Sequence, residues 1–146
     1  MSDSDAIAAI IYAYAERLDA GDFDGVAALF THATLRTDRR TEIRRGAAEA
    51  LELYRSMVTL YDGRPCTKHV ITNLVIDVDA SGDSASARSY FTVFQARPEL
   101  PLQAIIAGRY QDRFARIAGA WHLTDRLICS DLIGDLRFHL KQNPNL

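Results

Sequence analysis

The chain changes hydrophobic period once, near Asp62-Gly63-Arg64-Pro65, and that change limits the folds open to it. Before it, apolar residues recur at three- and four-residue steps, which line one face of a helix. After it they alternate, as strands require. Ile7, Ile10, Ile11, Tyr14 and Leu18 predict a first helix over residues 3–20, capped by Asp3 or Ser4 and followed by Gly21. Asp22 caps a second, shorter helix through Phe23, Val26, Ala27, Leu29 and Phe30. Residues 33–37 predict a short extended piece, Asp38-Arg39-Arg40-Thr41 a turn, and Ile43-Arg44-Arg45 a second short strand. Gly46 opens a third helix striped by Leu51, Tyr54, Val58 and Tyr61. A strand then places Val70, Thr72, Leu74, Ile76 and Val78 on one face. Ser81-Gly82-Asp83 is a hairpin turn, and strands over 85–96, 102–117 and 121–133 complete the pattern. The tail from Gly134 to Leu146 is partly amphipathic.

Helices first and a long meander after them predict an α+β fold. Helices packed on one side of a curved antiparallel sheet leave a concave pocket between the layers. A length of 146 residues predicts one domain over residues 1–146. Seventeen Lys+Arg against nineteen Asp+Glu give a formal charge of −2. No basic excess exists to neutralise a phosphate backbone, so nucleic acid is excluded as a partner. No apolar run reaches the roughly 18 residues of a membrane span. The acidic opening Met1-Ser2-Asp3-Ser4-Asp5 lacks the basic and apolar regions of a secretory signal. Cys66 and Cys129 lie in strand-like sequence without CxxC or zinc spacing, and are expected as reduced thiols. Together these features predict a cytoplasmic protein.

Glycine-rich phosphate loops, HExxH and GxSxG are absent, and His32, His69, His122 and His139 share no ligand spacing. No cofactor and no metal is therefore expected. Acid–base chemistry remains. Asp19 sits near the C-terminal end of a helix, where the dipole disfavours a carboxylate. It is either a solvated helix stop or a carboxylate held for a purpose. His69 opens the first long strand, on a face shared with Ile71, Asn73 and Val75. It is either a strand-end histidine bonded to backbone or a general base. Tyr14, on the first helix's core stripe, is a core aromatic or a hydrogen-bond donor to a substrate oxygen. Tyr14 and Asp19 stand about 140° apart on an ideal helical wheel, so they meet only around a shared ligand. Arg126 either holds an anionic substrate or pairs with Asp125 or Asp131. Tyr110 is a pocket wall or a donor, with wall preferred. Arg36, Arg39, Arg40, Arg44 and Arg45 form a solvated hairpin.

The stretch from Ile10 to Asp24, with Tyr14, Leu18, Asp19, Gly21 and Phe23, resembles the SnoaL-like group of the nuclear-transport-factor-two superfamily. Leu29-Phe30, Lys68-His69-Val70-Ile71-Thr72-Asn73, Arg88-Ser89-Tyr90-Phe91, Gly108-Arg109-Tyr110-Gln111-Asp112 and Gly119-Ala120-Trp121 extend the resemblance in order along the chain. It implies a cone-shaped α+β barrel, a curved antiparallel sheet around three helices, forming a homodimer or higher homo-oligomer. Within the group the pattern is similar to scytalone dehydratase, bile-acid dehydratases and hexachlorocyclohexane dehydrochlorinase. Those cofactor-free lyases pair an aspartate and a histidine at the positions of Asp19 and His69. A tyrosine matching Tyr14 and an arginine near Arg126 also occur among them. The scytalone enzyme's second histidine falls at Gln95, its asparagine at Tyr110 and its early-strand tyrosine near Leu35. The resemblance thus implies a related dehydratase-like lyase acting on another small cyclic hydroxy-carbonyl compound. A ketosteroid-isomerase- or cyclase-like proton-transfer enzyme is one alternative. A non-catalytic small-molecule-binding or dimerisation module is the other.

Overall fold

In the computed structural model of the protein, which describes residues 1–141, Ser2 caps the first helix in place of Asp3 or Ser4. Its hydroxyl accepts the Asp5 N–H, and the Asp5 carboxylate accepts the Ser2 N–H, both at 3.1 Å. This reciprocal box satisfies two donors at once, which neither other candidate does. Helix α1 (Asp3–Asp19) buries Ile7, Ile11, Tyr14, Ala15 and Leu18 along one face. Helix α2 (Phe23–Ala28) starts at Asp22, whose carboxylate accepts the Gly25 N–H at 2.9 Å. Helix α3 (Gly46–Met57) is shorter than its stripe suggests. Val58 turns extended and bridges to Leu140, and the Thr59 N–H donates to the His139 carbonyl at 2.8 Å. The returning C-terminal segment competes for this backbone, so Val58 and Tyr61 lie beyond the helix.

Six strands follow among the described residues: β1 (Thr34–Thr37), β2 (Arg44–Arg45), β3 (Thr67–Val78), β4 (Ser84–Arg97), β5 (Leu100–Ile117) and β6 (Ala120–Ile133). They form one sheet in the order β2-β1-β6-β5-β4-β3. The meander from β3 to β6 is antiparallel, as expected. β1 runs parallel to β6, with Leu35 opposite Arg126, so the whole sheet is mixed. Parallel pairing is open to β1 because the rest of the chain separates it from β6, and no hairpin constrains its direction.

β3 corrects the expected faces. Asn73 has φ of +52°, and the register with β4 shifts between Thr72 and Val75. This bulge inserts one residue and inverts the alternation beyond it. His69 and Ile71 face inward, followed by Leu74, Ile76 and Val78, while Val70, Thr72 and Val75 are exposed. Asparagine tolerates the left-handed conformation better than most residues, which suits this position. Cys66 lies in the loop before β3 rather than in a strand, whereas Cys129 is buried in β6; both are free thiols.

The helices lie against the concave face of the sheet, and Ile7, Ile11, Val26, Phe30, Ile105 and Phe114 fill the space between them. Each such side chain contributes roughly 1.5–3 kcal/mol when fully buried. Leu136 and Leu140, from the segment after β6, complete this core. Residues 142–146 of the predicted tail lie outside the described residues. No helix among the described residues is long and apolar enough to cross a membrane.

Candidate active site

The end of α1 and the start of β3 meet because two turns fit closely. Gly21, with φ of +76°, packs so tightly that a Cβ there would stand 2.0 Å from the Gly63 carbonyl oxygen. Only glycine supplies both that conformation and that clearance. Asp19, two residues earlier, therefore reaches β3. Its Oδ1 lies 2.6 Å from His69 Nδ1 and accepts the Thr67 hydroxyl at 2.8 Å, while Oδ2 accepts the His69 backbone N–H at 2.8 Å. Burial pushes the Asp19 carboxyl up, but the bonds from His69 and Thr67 outweigh it and hold it below the usual carboxylate range. These donors also offset the unfavourable helix dipole. An ionised acceptor on Nδ1 assigns the proton of the neutral ring to that nitrogen, so that in this tautomer Nε2 is the acceptor.

His69 lines a cavity of about 120 Å³ between the helices and the sheet. That is of the same order as the roughly 150 Å³ cavity known to hold benzene, which sets an upper bound of about one ring on an enclosed occupant. Asp19 stands behind His69 and is not on the wall. The Tyr14 and Tyr54 hydroxyl oxygens lie 2.5 Å apart on that wall. Tyr110 stacks on Phe91 with ring centroids 4.5 Å apart, and Tyr14 meets Tyr110 edge-on at 5.8 Å. Burial pushes all three phenols up, so each stays a neutral O–H.

Behind these rings lies Arg126, whose Nε and Nη2 donate to the two Asp112 oxygens at 2.8 Å each. Its partner is therefore Asp112, not Asp125 or Asp131. The β5–β6 register sets Arg126 directly opposite Asp112. Asp125 accepts from Arg36 and Thr34, and Asp131 pairs with Arg109 at 2.8 Å. The Arg126 guanidinium lies 3.8 Å from the Tyr110 ring centroid and 4.3 Å from that of Tyr14. Burial pulls Arg126 down, but the Asp112 charge and hydrogen bonds more than offset it and keep it charged. It does not reach the cavity wall.

The structure brings the predicted Asp19 and His69 together and sets Tyr14 and Tyr110 on the same wall, without a Tyr14–Asp19 bond. The roles of Tyr54 and His139 as cavity-wall residues were not legible in the sequence. Tyr54 stands out there only as an apolar stripe residue, and His139 as an isolated histidine in the tail. The arginine run is not a solvated hairpin alone. Arg39, Arg40 and Arg44 line the cavity with Glu42. Arg39 donates to the Ser130 carbonyl at 3.0 Å, and Arg44 pairs with Glu42 and Glu52. Gln95 donates from Nε2 to the Pro65 and Phe138 carbonyls, tying the C-terminal segment to the loop before β3. No group of three or more metal-ligating side chains is clustered among the described residues.

A concave sheet capped by helices, with a carboxylate-held imidazole facing a small cavity, defines a pocket-bearing cone of the α+β class. The chain belongs to the SnoaL-like domain family, whose model matches residues 1–126. A Mycobacterium tuberculosis protein of unknown function, solved as an Asp-to-Asn variant, is 25% identical. The match covers 90% of this chain and 73% of that one, with a TM-score of 0.73. A cystatin-like-fold protein of unknown function from Nostoc punctiforme is 23% identical over 92% of this chain and 95% of its own, with a TM-score of 0.75. A protein from Novosphingobium aromaticivorans, provisionally assigned as a scytalone dehydratase, is 22% identical over 91% and 87%, with a TM-score of 0.71. A comparison with curated proteins finds no match.

Proposed function

We propose that the protein is a cofactor-independent lyase that removes water from a small cyclic hydroxy-carbonyl compound. The observation that carries this reading is the 2.6 Å contact between Asp19 Oδ1 and His69 Nδ1 at a cavity wall shared with the Tyr14–Tyr54 pair. His69 Nε2 takes the proton α to the carbonyl. Asp19 fixes the tautomer and stabilises the imidazolium as it forms. The electrons of the broken C–H bond form the new double bond as the β C–O bond breaks. The departing hydroxide takes the proton from His69 and leaves as water. The Tyr14–Tyr54 pair supplies an O–H to the carbonyl oxygen, where negative charge develops. Positioned proton transfer contributes about 10²–10⁴-fold, and each such oxyanion donor about 10²–10³-fold. The provisional scytalone dehydratase among the structural neighbours supports this reaction class. Exposed apolar side chains on the sheet, Tyr90 and Leu132 among them, give a homo-oligomer a surface to bury.

The test uses cyclohexanone for α-deuterium exchange and β-hydroxycyclohexanone for enone formation, in wild type, Asp19→Asn and His69→Gln. Wild type catalyses both, and each variant loses roughly hundredfold or more of both rates. Turnover that survives His69→Gln sinks the mechanism. Exchange without water loss points to a proton-transfer isomerase or cyclase. Binding without either reaction points to a ligand-holding module.

A further inference from the structure

His139 comes from the segment after β6 and stands on the same cavity wall as His69, with ring centroids 6.4 Å apart. It is 7% exposed. Its Nδ1 is sealed from solvent and has no hydrogen-bond partner among the described residues. Buried polar groups in folded proteins are nearly always paired, so an unpaired imidazole beside a cavity requires an explanation.

Loose placement does not provide one, because the backbone around His139 is fixed on both sides. The Tyr61 hydroxyl donates to the Phe138 carbonyl at 2.7 Å, and Gln95 Nε2 donates to the same oxygen at 3.1 Å. The His139 carbonyl accepts the Thr59 N–H at 2.8 Å, and Leu140 bridges to Val58. The chain thus holds an imidazole against the cavity while offering its Nδ1 no hydrogen-bond partner among the described residues. The charges that act on it come from His69, on the same wall, and from Asp19 behind it.

We infer that His139 hydrogen-bonds the departing hydroxyl of the substrate while His69 acts on the neighbouring carbon. This inference rests on the elimination reading. The spacing of the two rings suits that division of roles. Rings about 6 Å apart can each reach one of two adjacent carbons, through a reacting contact of about 3 Å and a hydrogen bond of about 2.8 Å. Burial, with the neighbouring His69, pulls the His139 imidazole down to about 4, so it is neutral near pH 7. A neutral imidazole orients and polarises the hydroxyl through its N–H but does not give its proton away. The proton that completes the water is the one His69 removed, so the C–H and C–O bonds broken balance the C=C and O–H bonds formed. His139 contacts the substrate without entering the proton balance.

The experiment compares wild type, His139→Phe and His139→Gln on the same two compounds. Relative to wild type, His139→Phe lowers enone formation from β-hydroxycyclohexanone about tenfold or more beyond any change in its exchange of cyclohexanone, which has no leaving group. His139→Gln, which restores an N–H donor, recovers part of that loss. Exchange and dehydration falling together, or neither falling, overturns the inference. If wild type exchanges no proton of cyclohexanone, the elimination reading fails on its own. The His139 ring-nitrogen NMR shifts then decide: movement on adding β-hydroxycyclohexanone but not cyclohexanone keeps the hydroxyl contact, and no movement removes it.

Discussion

Two acid–base pairs flank the cavity, and they differ in whether either partner reaches its wall. Asp112 and Arg126 share two parallel hydrogen bonds, with side-chain exposures of 0% and 1%. Tyr14 and Tyr110 cover the guanidinium, and neither charge reaches the cavity. Asp19 and His69 are 12% and 5% exposed, and only one imidazole nitrogen is occupied. The first pair has its charges matched and sealed away from the cavity, with Arg126 Nη1 buried and lacking a hydrogen-bond partner among the described residues. The second leaves His69 Nε2 without a hydrogen-bond partner among the described residues, on a side chain that lines the cavity, which is the opening the proposed reaction uses. Burial alone does not separate the two. The number of unfilled positions that face the cavity does.

Breaking the sealed pair should have the largest effect on stability. Asp112→Ala strands a buried guanidinium and is expected to cost about 3–5 kcal/mol in thermal or denaturant unfolding. The double change Asp112→Leu with Arg126→Met should recover much of that loss, because it removes both charges together. A double variant no more stable than Asp112→Ala would mean that the ion pair itself is needed for folding.

The next effect is one of pH. His139 stays neutral in the fold down to about pH 4, whereas in the unfolded chain it titrates near its ordinary 6.5. Between those values the unfolded state binds more protons, so stability falls as pH is lowered through that window. The expected loss is about 3 kcal/mol by pH 4. The depressed Asp19 carboxyl acts in the same direction lower down, its contribution disappearing as pH falls below the ordinary carboxylate range. Urea unfolding of wild type and His139→Phe from pH 7 to 4.5 separates them, since only the histidine slope disappears in the variant.

The smallest effect tests the wall between the pairs. Tyr54→Phe removes one partner of the 2.5 Å phenol contact and leaves the buried Tyr14 hydroxyl without it. A loss of about 1 kcal/mol in unfolding free energy is expected. A larger fall in cyclohexanone exchange than in stability would place the phenol pair with the open dyad, and a fall in stability alone would place it with the sealed one.

The fold was legible because helical periodicity gives way to long alternating strands near Asp62-Gly63-Arg64-Pro65; Asp19 was legible as a carboxylate set against the dipole at a helix C-terminus, and His69 as the histidine that opens the first long strand. What the sequence hid depends on partners far along the chain. The end of α3 is set by a segment some eighty residues later, through Val58 and Leu140. The inward face of β3 is set by a bulge at Asn73, which strict alternation cannot foresee. Arg126 had acidic neighbours in sequence, but strand register assigned it Asp112. His139 carries no local pattern, since its position comes from Tyr61, Gln95 and Thr59.

The contact between Gly21 and the Gly63 carbonyl makes the alignment of Asp19 and His69 a matter of main-chain clearance. A methyl group at Gly21 would wedge the two turns apart, and a displacement of about 1 Å at reacting groups costs about 10²-fold in rate. Under the proposed reaction, selection would then act on a residue that has no side chain and takes no part in the chemistry.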